Sequence, residues 1–262
     1  MTQGSIGVWL SIAAQARREN AAMSVPHAIV ACARAAGAGA ALSMPSACEA
    51  PEPVFATDTR SGELEELQAT LGEGPSVEAM KGDGPVFADN MTNSWVLTRW
   101  PELAPAAQAR GLTAIFAIPV CSGAARVGVL SLYRERPGRP SADELSVWLL
   151  YADAVLMLAL DDRGALAPGA VELVGRGFTG RRAEVHQAAG MISVQMAVPI
   201  TEALVALRAR AYVESRPISE VAADVVARRL SFTALGNTAP QTMPPSADGG
   251  TREQDTRLTP PP

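Results

Sequence analysis

The residues best suited to chemistry in this chain lie in one helical stretch, from Arg181 to Gln195. Two adjacent arginines open it, and His186 and Gln187 place hydrogen-bonding side chains beside an apolar stripe of helical spacing. Gly190 follows in the middle of the helix, where glycine costs about 1 kcal/mol relative to alanine. The stretch therefore predicts a surface that another molecule approaches closely and that binds through charge and hydrogen bonds.

Catalysis is not expected from these residue types. His186 has no serine or cysteine at a recognisable catalytic spacing, and His27, the other histidine, lies far away in the sequence. The three cysteines are Cys32, Cys48 and Cys121. Their spacing suggests neither a zinc site nor a disulfide framework, and the glycines at 72–74 are not followed by the residues of a phosphate-binding loop. We expect no catalytic residue, no metal and no cofactor, and a cytoplasmic protein with reduced thiols.

Charge is distributed unevenly along the 262 residues. The whole chain carries a net charge of −5, whereas residues 176–232 hold eight arginines and five acidic side chains. Binding of a polyanion requires local positive charge, so it would belong to residues 176–232. The alternative is a solvated, arginine-rich helical face.

Helices and strands alternate over the first 160 residues. Periodicity and capping residues predict helices at 5–22, 25–36, 61–71, 99–109 and 141–160. Apolar runs bounded by turn residues predict strands at 40–44, 54–57, 86–89, 113–120 and 127–133, the last two paired as a hairpin. Ser141 and Glu144 form a capping box. This order predicts an α+β fold in which helices pack on an antiparallel sheet.

The predicted helix at 141–160 is apolar on nearly its whole circumference. One broad face, which includes Trp148 and Val155, must cover the sheet, and the remainder is too apolar for free solvent. We therefore predict a homodimer through helix 141–160.

Residues 181–232 resemble the ANTAR domain, the three-helix output module of bacterial transcription antitermination regulators. The matching elements, in order and without gaps, are His186-Gln187-Ala188-Ala189-Gly190-Met191, Gln195, Glu202-Ala203-Leu204, Leu207-Arg208-Ala209, Arg216-Pro217-Ile218 and Val221-Ala222-Ala223-Asp224-Val225-Val226. The resemblance implies an all-α three-helix bundle that binds hairpins in nascent RNA. One departure is Pro199, which stands where a capping side chain is expected at the second helix.

Residues 64–160 resemble the GAF domains that precede ANTAR domains in actinobacterial-type regulators. The matching elements are Leu71-Gly72-Glu73-Gly74-Pro75, Val86-Phe87-Ala88-Asp89, Arg99-Trp100-Pro101, Phe116–Val120 and Val127–Tyr133. GAF domains sense a small molecule or a partner protein, and here Trp95 and Trp100 are candidate pocket residues, with packing in the core as the alternative. Ser76 stands where a cysteine often occurs, which argues against thiol-based sensing at that position.

The two resemblances together imply five segments and a set of RNA-binding residues. The segments are an N-terminal segment at 1–22, a GAF-like sensor at 23–163, a connector at 164–175, an ANTAR-like domain at 176–232 and a disordered tail at 233–262. The candidate RNA-binding residues are Arg181, Arg182, His186, Gln187, Gly190, Met191, Gln195, Arg208, Tyr212 and Arg216. The implied function is a signal-responsive antiterminator that catalyses nothing and does not enter a membrane.

Several roles within 181–232 have a structural alternative. Arg208 and Arg210 could instead pair with Glu202 or Glu214, and Tyr212 could pack between helices rather than stack on a base. We expect Asp224 to be structural and to pair with Arg228, four residues on. Gly190 and Met191 could touch the RNA or could let the second helix pack closely; packing is favoured, with His186, Gln187 and the arginines facing the RNA.

Two other functions stay open at this point. The helical segment could be a protein-interaction module that has lost RNA binding. The chain could also be a thiol-dependent enzyme on a GAF scaffold, which would require folding to bring the cysteines together.

Overall fold

The structure, a computed structural model, describes residues 3–45, 51–161 and 176–232. The predicted connector at 164–175 and the predicted disordered tail at 233–262 lie outside the described residues. In chain order the elements are α1 (Gln3–Arg18), α2 (Val25–Ala36), β1 (Gly39–Pro45), β2 (Pro51–Ala56), α3 (Thr59–Leu71), α4 (Pro75–Lys81), β3 (Val86–Ala88), α5 (Ser94–Arg99), α6 (Leu103–Ala109), β4 (Ala114–Ser122), β5 (Ala125–Arg134), α7 (Ala142–Asp161), α8 (Arg176–Met196), α9 (Ile200–Glu214) and α10 (Ile218–Val226).

The five strands form one sheet in the order β2-β1-β5-β4-β3, and every neighbouring pair is antiparallel. β4 and β5 form the predicted hairpin, with Phe116 opposite Leu132. The predicted α+β fold, an antiparallel sheet flanked by helices, is therefore confirmed for residues 3–45 and 51–161.

Alternating side chains of the strands supply two cores, one on each face of the sheet. On β4, Phe116 and Ile118 contact the layer of α1, α2 and α7, whereas Ile115 contacts the opposite layer, which includes α3, α5 and α6. Successive side chains of a strand point to opposite faces, so a strand covered on both sides is apolar throughout. The burial of every residue from Ala114 to Ile118 follows from this arrangement.

Helix α7 is covered on its second apolar face by α1 of the same chain. Ser11 of α1 hydrogen-bonds to the hydroxyl of Tyr151 at 2.6 Å, and Val8 and Ile12 are buried in the same core. Helix α1 therefore covers much of the apolar surface that was expected to need a second chain, and the homodimer stays a prediction. The large apolar side chains that remain exposed on α7 are Leu149, Met157 and Leu160.

Local sequence explains three other differences from the predicted elements. The helix predicted at 99–109 is two helices, because Pro101 disfavours helical backbone at the residue before it, Trp100. Pro75 begins a helix, α4, where only a loop was predicted, and proline is favoured in a first helical turn. Helix α3 begins at Thr59, two residues before the predicted start, because Asp58 caps it by accepting a hydrogen bond from the Ser61 amide.

The capping box at the start of α7 is confirmed in both directions. The Glu144 amide donates to Ser141 Oγ at 3.2 Å, and the Ser141 amide donates to Glu144 Oε2 at 2.8 Å. Two backbone donors of the first turn are thereby satisfied.

Helices α8, α9 and α10 form a C-terminal helical region around their own small core. Ala188 and Ile192 of α8 pack against Leu207 of α9 and Val221 and Val225 of α10. Within the described residues no single helix has the length and apolarity needed to cross a membrane. The length and apolarity are reached only when two helical segments are taken together, and these segments meet at an angle of 105°. They are Ala183–Met196 and Ile200–Glu214.

Candidate functional site

A groove on the surface of the C-terminal helical region gathers four of the candidate RNA-binding residues. One face of α8 lines this groove with Gln187, Gly190, Met191 and Gln195. The groove has a volume of about 590 Å³, and its other lining residues are Val194, Arg228, Leu230 and Ser231. These eight residues are called the α8 groove below.

The opposite wall of the α8 groove is a turn that follows α10. Arg228 has a left-handed backbone (φ 59°), which reverses the chain and carries Leu230 back toward α8. Gln195 Oε1 accepts a hydrogen bond from the Phe232 amide at 2.8 Å and so fixes the segment after α10 to α8. Gln195 thus holds the wall of the groove in place.

Gly190 has a role different from the one expected. A Cβ built at this position would meet nothing within 4 Å, so no helix packs against the glycine. The expectation that Gly190 lets the second helix approach closely is therefore wrong. The tight packing of α8 is made instead by Ala188, Ala189 and Ile192, which are fully buried.

Arg228 faces the groove without a carboxylate partner in the described part of the chain. Asp224, which was expected to pair with it, binds Arg216 at 2.8 Å and Arg229 at 2.7 Å instead. The hydrogen bonds from Arg216 and Arg229 hold the pKa of Asp224 below its ordinary value.

Arg210 and Arg216 stabilise the helices that carry them. Arg210 pairs with Glu214 at 2.5 Å, which is the predicted structural alternative. Arg216 contacts Glu214, Glu220 and Asp224, so it joins α9 to α10. Arg208 is half-buried on α9. The backbone of Arg181 and Arg182 lies in α8, and their side chains lie outside the described residues.

Three candidate RNA-binding residues face the sensor and not the α8 groove. His186 Nε2 lies 3.0 Å from a carboxylate oxygen of Glu52 on β2. Tyr212 and Arg216 line a cleft of about 850 Å³ between α9–α10 and helices α3 and α6. At this contact the Ser219 amide, in the first turn of α10, donates to Glu66 Oε1 of α3 at 3.2 Å. The sensor therefore supplies the anionic cap that Pro217 cannot provide for α10.

The two tryptophans proposed as ligand contacts occupy different environments. Trp100 is a core residue, and its indole N–H donates to Glu78 Oε1 at 2.9 Å. Trp95 is 44% exposed and packs against the Trp100 ring at 5.9 Å. Burial alone would raise the pKa of Glu78, but hydrogen bonds from Arg99 and Trp100 hold that pKa below its ordinary value. The pair thus forms a structural cluster in which Trp95 alone faces solvent.

A buried carboxyl group, which the sequence did not single out, lies on the same side of the sheet. Glu65 of α3 is fully buried and accepts hydrogen bonds from Ser43 Oγ at 2.6 Å and from the Tyr133 hydroxyl. Gln68 in turn donates to the Tyr133 hydroxyl at 2.9 Å and accepts from the Ser76 amide at 3.0 Å. Burial raises the pKa of Glu65, and these hydrogen bonds partly oppose the shift. The network joins α3 to α4, β1 and β5 on this side of the sheet.

The cysteines offer little support for thiol chemistry. Cys32 is fully buried, and burial raises the pKa of its thiol to about 12. A thiol with so high a pKa is a poor nucleophile near neutral pH. Cys121 is half-buried on β4, and Cys48 lies outside the described residues. In the part of the chain that the structure describes, no group of three metal-ligating side chains occurs.

A sheet of this topology between two helical layers is the fold of a sensor domain. The GAF domain family matches residues 14–158, and the chain belongs to that family. A comparison with curated protein sequences found no match.

Several solved structures are similar at low identity. The GAF domain of an Acinetobacter phosphoenolpyruvate-protein phosphotransferase is 11% identical, with a TM-score of 0.45 over 62% of this chain and 96% of that one. The corresponding GAF domain from Coxiella burnetii is 14% identical, with a TM-score of 0.44 over 61% and 96%. Escherichia coli SdiA is 12% identical, with a TM-score of 0.42 over 82% of this chain and 95% of SdiA.

Proposed function

We propose that this chain is a non-catalytic cytoplasmic regulator in which the GAF sensor controls an RNA-binding C-terminal helical region. The RNA would be a hairpin in a nascent transcript, as the resemblance of residues 181–232 to ANTAR domains implies. The observation that carries the proposal is the α8 groove, where four residues chosen from sequence converge beside an arginine that has no acidic partner in the described residues.

The charges of the region support the same proposal. Glu214, Glu220 and Asp224 are engaged by Arg210, Arg216 and Arg229. The acidic side chains of α9 and α10 are thus largely neutralised by neighbours on those helices. Positive charge is left at Arg228, which has no acidic partner among the described residues, and phosphate contacts require such local charge.

A salt series tests the electrostatic part of the proposal. The full chain should shift hairpin RNA in a gel, with an affinity that falls as salt rises. Arg181→Ala with Arg182→Ala should weaken binding and reduce the slope of log K against log salt by about 0.7–0.9 for each phosphate that is no longer neutralised. The matched control is Arg17→Ala with Arg18→Ala, an exposed arginine pair at the end of α1, which makes the same change in net charge.

The outcome of this assay separates RNA binding from the alternatives. If the wild-type chain shifts no hairpin at low salt, the RNA-binding proposal fails and a protein-interaction role is favoured. If both arginine pairs reduce the slope equally, binding is non-specific attraction to a charged surface and α8 has no special part in it.

We also propose that the regulator is a homodimer formed through the exposed stripe of α7. Met157 is 59% exposed and Leu160 is 51% exposed, and Ile6 and Leu10 of α1 are exposed as well. Large apolar side chains grouped on a surface favour association. Met157→Glu with Leu160→Glu should convert the dimer to a monomer in sedimentation velocity at micromolar concentration. A wild-type chain that sediments as a monodisperse monomer would rule out the dimer.

A further inference from the structure

We propose that the α8 groove binds one unstacked base of an RNA loop, with Gly190 as the flat floor on which the base lies. This inference rests on the proposed RNA-binding function and assigns the part of the RNA that the groove recognises. Gly190 and Met191 supply the floor, Gln187 and Arg228 supply polar groups, and Leu230 supplies the far wall.

The glycine is the first reason to assign a ligand to this groove. Gly190 lies in the middle of α8, where glycine stabilises a helix less than alanine does. The fold does not require it, because a Cβ at this position would meet no atom within 4 Å. Bare backbone on an open surface lets a planar group approach more closely than any side chain would allow.

The chemistry of the lining residues is the second reason. Met191 and Leu230 are partly buried against the core of the helical region, whereas Val194 is 83% exposed, so an apolar surface is open to solvent. A thioether beside an aromatic ring is a favourable contact. The Gln187 amide is exposed and carries both a donor and an acceptor, which matches the edge of a base.

The charge at the rim is the third reason, and it favours a nucleotide over an apolar peptide. Arg228 is exposed and has no acidic partner among the described residues, whereas its neighbour Arg229 is held by Asp224 at 2.7 Å. An apolar floor with one free guanidinium at its edge suits a base attached to a phosphate. RNA sequence is read mainly in single-stranded loops, where bases are free to unstack onto a protein surface.

Replacement of Gly190 by alanine tests the groove without damaging the fold. Gly190→Ala should raise the melting temperature and weaken binding of a loop-containing hairpin by roughly tenfold or more, since stacking of a single base contributes about that much. The control is Gly7→Ala, an exposed glycine within α1 whose Cβ would also meet nothing within 4 Å. It should raise the melting temperature similarly and leave binding unchanged.

The arginine pair provides the second matched comparison. Arg228→Ala and Arg229→Ala remove the same charge from adjacent positions, but only Arg228 faces the groove. We expect Arg228→Ala to weaken hairpin binding roughly tenfold and Arg229→Ala to weaken it less than about threefold, because only the Arg228 guanidinium is placed to neutralise a phosphate of the bound nucleotide.

The RNA probe is a hairpin selected by the wild-type chain from a pool with one fixed stem and a randomised loop. Abasic substitution at one loop position should weaken binding to the wild type strongly and to Gly190→Ala only slightly. If Gly190→Ala binds as tightly as wild type and still distinguishes the abasic hairpin, the base-binding groove is wrong while RNA binding stands. If the wild type enriches no hairpin from the pool, the proposed function fails and the groove assignment fails with it.

Discussion

Replacing Glu65 with alanine is expected to lower the free energy of unfolding by about 3 kcal/mol. The side chain is fully buried and accepts hydrogen bonds from Ser43 and Tyr133. Alanine would remove the acceptor of two buried hydroxyl groups and leave a cavity among them, and each effect is destabilising. Glu65→Gln keeps the size of the side chain and an acceptor oxygen, so it should cost less than half as much. Urea unfolding followed by circular dichroism measures both changes.

The same two variants should differ in their dependence on pH. Burial raises the pKa of Glu65 above its ordinary value of 4.5, so the folded state holds the proton more tightly than the unfolded state does. The stability contributed by the protonated carboxyl is therefore present below pH 4.5 and is lost as the pH rises through the raised pKa. Glutamine does not titrate, so the wild type should lose stability relative to Glu65→Gln as the pH increases over this window.

Glu63→Gln is the matched control for this experiment. Glu63 lies two residues away on α3, but it is exposed and pairs with Arg110 at the surface. Its replacement should change stability by less than about 1 kcal/mol. Parallel pH profiles for wild type and Glu65→Gln would show that the buried carboxyl is not held protonated in the folded protein.

Sequence patterns predicted the elements whose determinants are local. The bounds of α2, Val25–Ala36, agree with the prediction, because Pro26 marks the first turn and Gly37 adopts the left-handed backbone that ends the helix. The hairpin of β4 and β5 was equally clear, since two apolar runs flank Gly123. In each case residues close in sequence determine both the element and its ends.

The candidate site could be predicted only in part, because its geometry depends on contacts between distant segments. Gln187 and Gly190 were found from their types and spacing on a single helix. Arg228 was not, because its position on the groove depends on a left-handed residue after α10 and on the bond between Gln195 and Phe232. Val194, four residues after Gly190 on the same face of α8, could have been found from helical spacing alone.

The burial of Glu65 could not be predicted from the sequence. The run from Glu63 to Glu66 reads as a solvated, acidic helix face, yet two of its three carboxylates are buried. Glu66 is enclosed where the C-terminal helical region docks and caps α10. Such roles arise from tertiary packing, and neither the charge of the residue nor its neighbours in sequence indicates them.

Trp148→Ala is expected to destabilise the sensor by about 3–5 kcal/mol, the usual effect of deleting a buried tryptophan. Only 1% of this side chain is exposed, and its ring lies 5.2 Å from that of Phe116. The Arg134 guanidinium covers it at 4.8 Å while binding Glu144 at 2.5 Å, so the indole also positions the capping box of α7. The destabilisation combines a cavity in the core with a weakened first turn of the helix. Chemical unfolding followed by circular dichroism measures it.

Trp95→Ala is the control that separates burial from residue type. Trp95 is 44% exposed, and its main contact is the ring of Trp100 at 5.9 Å. The expected destabilisation is about 1 kcal/mol or less, because an aromatic pair at the surface contributes no more than that. Equal effects of the two variants would contradict the assignment of Trp148 to the core. A small effect at Trp95 together with a changed response of the sensor to its signal would instead identify Trp95 as a ligand contact, since its exposed face is free to meet one.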